Sequence, residues 1–281
     1  MVINTVAKTL FFSTVCLEGS DKQGAYSAGT GFVLSHEFPD YGEEIFIVTN
    51  KHVVAPLEKA KLCFTRRVGQ QPVIGHTFAF DCQAGFGSAF HGHPDPGVDI
   101  ALLPVSYLLK NATSVDRDAF VMSTSTRSIP SKEDWEDLDA ILPVLFVGYP
   151  NGMYDKTNMT PIVRRGISAT PVQLDYDGEP VFLIDASVFP GSSGSPVFTF
   201  SETWEGGITN LRLLGIIAKV FTQQDSGELQ LTPIPTEINI RIAISQKIDL
   251  GLVFKSHLIM ETIEDCWKVK GNELRRVNKK H

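Results

Sequence analysis

The chain has 281 residues, of which 43% are hydrophobic and 20% charged, with 23 glycines, 16 prolines and a formal net charge of −7. That length can bury a sizeable core, and the glycine and proline content suits many short strands joined by tight turns, an all-β pattern. The acidic balance argues against nucleic acid as the main partner. No apolar run reaches the about 18 residues that a membrane-spanning helix needs.

In chain order, Lys8–Leu17 reads as a first strand rather than a leader peptide: it lacks a small-x-small cleavage site, and Glu18 and Asp21 follow at once. Strand-like runs continue at Thr30–Leu34, Ile45–Thr49, Lys61–Thr65 and Asp99–Pro104. A polar stretch, Ser123–Asp139, separates these from a second set at Leu142–Gly148, Ile162–Ser168, Val181–Ala186, Ser195–Phe200, Leu211–Phe221 and Ile238–Ile244. Within the polar stretch Ser131 predicts a helix start, because its hydroxyl can accept from free N–H groups and the acids after it face the positive helix end. Apolar positions at 258–260, 263 and 266–267 predict a closing amphipathic helix over about 256–268. The basic tail beyond it (Lys268, Lys270, Arg275, Arg276, Lys279, Lys280) reads as a solvated, frayed terminus.

Three short segments carry chemistry. Pro190-Gly191-Ser192-Ser193-Gly194-Ser195-Pro196-Val197 places a serine between glycines just before a strand. Gly191 lets the backbone turn so that the N–H groups of Gly191 and Ser193 point into one small space, where a tetrahedral oxyanion fits beside the Ser193 hydroxyl. Alone, such a segment is more often a Gly/Ser-rich hairpin. His52 follows the buried strand at 45–49, where a lone histidine is usually structural or solvated. Asp99 leads directly into an apolar strand, where a lone aspartate is usually a turn residue or cap. Histidine, aspartate and serine in this chain order are more specific together than any one of them.

Thr49-Asn50-Lys51-His52-Val53, Asp99-Ile100-Ala101-Leu102-Leu103 and Pro190-Gly191-Ser192-Ser193-Gly194-Ser195-Pro196 resemble the three catalytic motifs of chymotrypsin-like serine proteases. Gly29-Thr30-Gly31-Phe32-Val33-Leu34, Val147-Gly148-Tyr149-Pro150, Gly166-Ile167-Ser168 and Asp185-Ala186-Ser187 are similar to the bacterial Deg/HtrA branch. The likeness spans roughly residues 8–245. It implies an all-β fold of two packed six-stranded Greek-key barrels, residues 1–121 carrying His52 and Asp99 and residues 122–281 carrying Ser193 and the closing helix. It also implies a serine endopeptidase acting on protein or peptide, with catalytic His52, Asp99 and Ser193, an oxyanion hole at Gly191 and Ser193, and no metal or organic cofactor. His91-Gly92-His93-Pro94-Asp95 hints at a metal site, but His-x-His in a Pro/Gly loop is nonspecific.

The resemblance places the base of the primary specificity pocket at Ser187, six residues before Ser193, and its wall at Ala218, Lys219 and Val220. The lack of an acid at Ser187 argues against a Lys/Arg preference, and Val220 narrows the pocket toward small or aliphatic side chains. Two departures stand out. The residue before the nucleophile is Ser192 and no Ile-Val-Gly-Gly-like start appears, so a zymogen salt bridge is not expected, and gating by a partner or by loop ordering around Asn151–Pro161 is. No appended peptide-binding PDZ domain is expected in this chain. Cys16, Cys63, Cys82 and Cys266 are scattered, and Val53 stands where secreted animal relatives carry a disulfide cysteine. A reducing compartment, the bacterial cytoplasm, follows as an expectation, with no membrane partner, although four cysteines leave two bridges open. A silent pseudoprotease that binds peptide on the same fold is the alternative. An α/β-hydrolase reading is disfavoured, because its triad runs serine, acid, histidine.

Overall fold

A computed structural model describes residues 1–82, 84–112, 119–189, 191–229 and 240–278. Its first strands are β1 (Thr14–Ser20), β2 (Tyr26–Phe38), β3 (Gly42–Thr49), β4 (Lys59–Val68), β5 (Gln71–Cys82), β6 (His91–Gly92), β7 (Ala101–Pro104), β8 (Ala119–Phe120) and β9 (Thr124–Ser125). They form one nine-stranded sheet in the order β5-β4-β1-β2-β3-β7-β6, with β8 on β4 and β9 on β2. Because β9 pairs with β2, this sheet runs past the boundary expected at 121. The second set is β10 (Pro143–Gly148), β11 (Ile162–Ser168), β12 (Val181–Asp185), β13 (Pro196–Glu202), β14 (Ile208–Leu229) and β15 (Ile240–Lys255). It closes as a six-stranded barrel in the order β10-β11-β12-β15-β14-β13.

Helices are short except the last: α1 (Val6–Leu10), α2 (Lys51–Val54), α3 (Phe86–Ala89), α4 (Ser106–Ala112), α5 (Lys132–Glu136) and α6 (His257–Asn278). No helix among the described residues is long and apolar enough to cross a membrane. α5 begins at Ser131 with a full capping box, in which the Ser131 hydroxyl accepts from Asp134 N and the Asp134 carboxylate accepts from Ser131 N.

Three expectations change. The strand expected from Lys8 is α1 followed by β1: Thr5 caps the helix by accepting from Lys8 N, and the Ser13 and Thr14 hydroxyls return to Leu10 O. β5 is an element that the sequence patterning misses, and it pairs along nearly the whole of β4. The basic run Lys268–Arg276 is helical, since α6 continues to Asn278, while Lys279 and Lys280 lie outside the described residues. Pro190 and the first two residues of the strand expected at 238–244 also lie outside them.

The largest core cluster joins both units. Phe32, Leu34, Phe46 and Val48 of the first sheet bury against Leu145, Phe198, Leu213 and Ile216 of the barrel, and Leu258, Ile259 and Ile263 of α6 close over them. Burial of each large apolar side chain contributes about 1.5–3 kcal/mol. Trp267 of α6 stacks on Phe38 of β2 with ring centroids 3.9 Å apart. All four cysteines are free, including Cys16 and Cys63, which stand opposite each other on β1 and β4. Burial pushes both of those thiols up, Cys63 to about 11.

Candidate active site

Sheet register brings the first two candidate residues together. β3 and β7 are antiparallel neighbours with Thr49 opposite Ala101, so the chain leaving β3 and the chain entering β7 meet at one sheet end. His52 sits in the first turn of α2, and Asp99 lies just before β7. The His52 ring Nδ1 is 2.5 Å from Asp99 Oδ2, and His52 N donates to Asp99 Oδ1 at 3.0 Å. The carboxylate is thus held by both the ring and the backbone of one residue, which fixes the imidazole with Nδ1 toward the acid. His52 is half exposed while Asp99 is largely buried.

Asn50 stands at the helix N-cap but does not cap: its side chain donates instead to Asp99 O at 2.6 Å. Lys51 reaches Asp95 O at 2.8 Å. Burial lowers the Lys51 amine below the usual lysine range, and the charges of Asp99 and Asp95 oppose that shift. His91 and His93 tie this segment to α6. His91 Nε2 lies 2.8 Å from Asp265 and His93 Nε2 3.4 Å from Glu261, both on α6. His93 Nδ1 accepts from Asp95 N at 3.1 Å, so the loop before Asp99 is braced against the helix. Among the described residues no group of three or more His, Cys, Asp or Glu is placed to hold a metal ion.

Ser193 lies on the turn into β13. Gly191 and Gly194 both adopt positive φ, +85° and +89°, a conformation that L side chains resist. At Gly194 there is also no space, because an added Cβ would fall 1.8 Å from Thr30 O. Ser192 is buried and makes a local turn, donating from its N to Phe189 O at 2.9 Å while its hydroxyl accepts from Phe189 N at 3.3 Å. Thr30 N donates to Ser193 O at 3.0 Å, and the Thr30 hydroxyl donates to Gly191 O at 2.8 Å. The Ser193 hydroxyl donates to Ala218 O at 3.3 Å. Among the described residues no hydrogen bond joins Ser193 to His52, and neither Gly191 N nor Ser193 N has a backbone partner.

Of the residues expected in the specificity pocket, Ala218 meets this turn through its carbonyl. Ser187 is exposed, and its carbonyl accepts from the Arg164 guanidinium of β11. That guanidinium also lies 4.4 Å over the Phe189 ring. Ala218 is buried, Lys219 exposed and Val220 half-buried. The β14–β15 pairing is irregular between Ile217 and Lys219 and again between Val220 and Thr222, which places bulges at Ala218 and Phe221. β13 pairs with β14 only as far as Pro196 opposite Ile216, so residues 218–220 lie beyond that strand. Motif reading did not single out the roles of Thr30, Asn50 and Arg164, because their partners are distant in sequence.

A closed barrel beside a second sheet, with a histidine–aspartate pair on the sheet and a Gly-Ser-Ser-Gly turn bonded to that sheet through Thr30, fits the chymotrypsin-type class of fold. The model of the family described as "Trypsin-like peptidase domain" matches residues 29–205, well over half of the chain, and the chain belongs to that family. It is similar to a Staphylococcus aureus (strain USA300) protein described as "Serine protease HtrA-like", at 28% identity over 183 residues. That match covers 63% of this chain and 19% of the relative, so the chain spans about a fifth of the length of the curated relatives it matches. Among solved structures it is similar in fold to the HtrA-type protease AlgW with tripeptide, with a TM-score of 0.50 and 15% identity over 92% of this chain and 62% of that one.

Proposed function

We propose that this chain is a serine endopeptidase that cleaves peptide bonds through an acyl-enzyme on Ser193. The observation that carries the reading is the His52–Asp99 contact at 2.5 Å, together with a serine turn in which, among the described residues, Gly191 N and Ser193 N have no backbone partner. Ser193 Oγ attacks the peptide carbonyl carbon and its proton passes to His52 Nε2. His52 returns that proton to the departing amine as the C–N bond breaks. Water, deprotonated by His52, then attacks the acyl ester and frees Ser193. Asp99 holds the ring tautomer and stabilises the imidazolium. Gly191 N and Ser193 N hold the oxyanion, each donor contributing about 3–4 kcal/mol.

Residues Ala218, Lys219 and Val220 offer a strand edge to the substrate backbone, and Val220 and Ser187 favour small or aliphatic side chains before the scissile bond. A peptide library with a strong Arg, Lys or Phe preference at that position would overturn this preference. Gating fits the same site: the Ser193 hydroxyl must leave Ala218 O and turn toward His52 before it can react. A partner, or ordering of the loop 151–161, is the proposed trigger. Four free thiols and bacterial relatives support a reducing bacterial cytoplasm as the setting. The Ser193–Ala218 hydrogen bond also favours a second reading, a silent peptide-binding pseudoprotease.

Labelling with a fluorophosphonate probe separates the two readings. A protease labels, and Ser193→Ala loses both labelling and peptide hydrolysis, the latter by about 10⁶-fold. A silent scaffold neither labels nor hydrolyses, and its peptide affinity survives the substitution.

A further inference from the structure

We propose that Thr30 is a positioning residue for the oxyanion hole, acting through Gly191 from the opposite unit of the molecule. The inference rests on the reading of Ser193 as nucleophile and deepens it. Thr30 lies in β2 of the first sheet and is fully buried, 161 residues from its partner Gly191. Three of its polar groups are committed at this junction. Its N donates to Ser193 O at 3.0 Å, its carbonyl accepts from the Thr49 hydroxyl at 2.7 Å, and its own hydroxyl donates to Gly191 O at 2.8 Å.

The direction of the last bond follows from chemistry. Tyr149 N lies 3.0 Å from the same hydroxyl oxygen and can only donate. The oxygen therefore accepts from Tyr149, and its single proton goes to the Gly191 carbonyl. That carbonyl belongs to the peptide unit between Gly191 and Ser192, so anchoring it limits rotation about the backbone that presents Gly191 N. A glycine at positive φ has no side chain to resist such rotation. The hydroxyl thus supplies orientation that residue 191 cannot supply for itself.

The same hydroxyl links the hole to its proposed gate. Tyr149 immediately precedes Pro150–Gly152, the start of the connection to β11. Gly148, one residue earlier, leaves the space the hydroxyl occupies: a Cβ there would lie 2.8 Å from Thr30 Oγ1 and 2.1 Å from Ser195 Oγ. Displacement of Tyr149 would be felt at Gly191 through one shared oxygen.

The test compares Thr30→Val, which keeps the branched shape and removes the hydroxyl, with Thr30→Ser, which restores it. Peptide hydrolysis, affinity for a peptide boronate, melting temperature and a crystal structure of Thr30→Val are measured in the full chain. The expected result is a fall in kcat of about 10- to 100-fold with KM within about twofold. Boronate affinity falls in step, because that ligand places an oxygen in the hole. Thr30→Ser recovers to within about threefold of the parent, and the Gly191 carbonyl turns away in the valine variant. Unchanged kcat overturns the proposal. So does an equal loss in both variants that tracks melting temperature, or a Gly191 carbonyl that keeps its direction; the crystal structure decides even if the isolated parent is idle. Retention of hydrolysis in Ser193→Ala would instead remove the nucleophile reading beneath it.

Discussion

The proposed acid–base half and the proposed nucleophile half of the site are assembled in different ways. His52 just after β3 and Asp99 just before β7 are delivered by adjacent strands of one sheet, and two contacts between the same two residues fix them, with Asn50 adding a third to the Asp99 backbone. Gly191 and Ser193 instead sit on a turn whose positions are set from elsewhere, by Thr30 of the first sheet and by Ile217 and Ala218 of the barrel. The first half reaches its working arrangement as part of ordinary sheet formation. The second depends on how the two units dock, and its serine points to a backbone carbonyl. In the proposed protease the base is held ready, and the nucleophile is the part left open to regulation.

The comparison breaks most sharply at Asp99. Asp99→Asn is expected to cut kcat by about 10⁴-fold, because the amide favours the wrong imidazole tautomer, with little change in melting temperature. A loss below tenfold in steady-state hydrolysis would mean that the pair is structural. Gly194→Ala probes the docked half. A Cβ would strike the Thr30 carbonyl and the backbone would be forced to a strained φ, so destabilisation of about 3 kcal/mol or more is expected in urea unfolding. An unchanged midpoint would show that the turn can move away from Thr30, contrary to the tight junction described here.

The smallest effect concerns pH. Burial holds both His36 and His257 below the ordinary imidazole range, with carboxylates of α6 and Asp175 opposing the shift. Below about pH 6.5 the unfolded chain takes up protons at these rings that the folded chain resists. Their contribution is therefore complete above that pH and declines as pH falls through the lowered folded values. Replacing both with glutamine should reduce the melting-temperature loss between pH 7.5 and 5.5 by about 2–4 °C. An unaltered acid slope in calorimetry would remove these rings as its source.

The motifs were legible because each is local: an apolar strand followed within a few residues by His52, Asp99 leading into another strand, and a Gly-Ser-Ser-Gly turn before a third. Strand alternation also marked Ile162–Ser168 with its observed limits. Local patterning failed where hydrogen bonds override it. The apolar run from Lys8 carries hydroxyls on both sides of a helical turn, and only their bonds to the backbone place the boundary near Ser13. β5 carries Pro72, Gly75 and His76 in place of clean alternation, and pairing with β4 defines it. Thr30 was visible only as one letter in a glycine-rich strand, since its use depends on a carbonyl 161 residues away. Arg164 was hidden for the same reason, its partner being a main-chain oxygen at Ser187.

α6 has a mechanical consequence. Its inner face lies in the core shared by both units, while Glu261 and Asp265 grip the two histidines of the loop that ends at Asp99. The helix therefore works as a lever whose short arm ends beside the proposed acid. A tag, fusion or binding protein that tilts it would be registered at His52 without ever approaching the cleft.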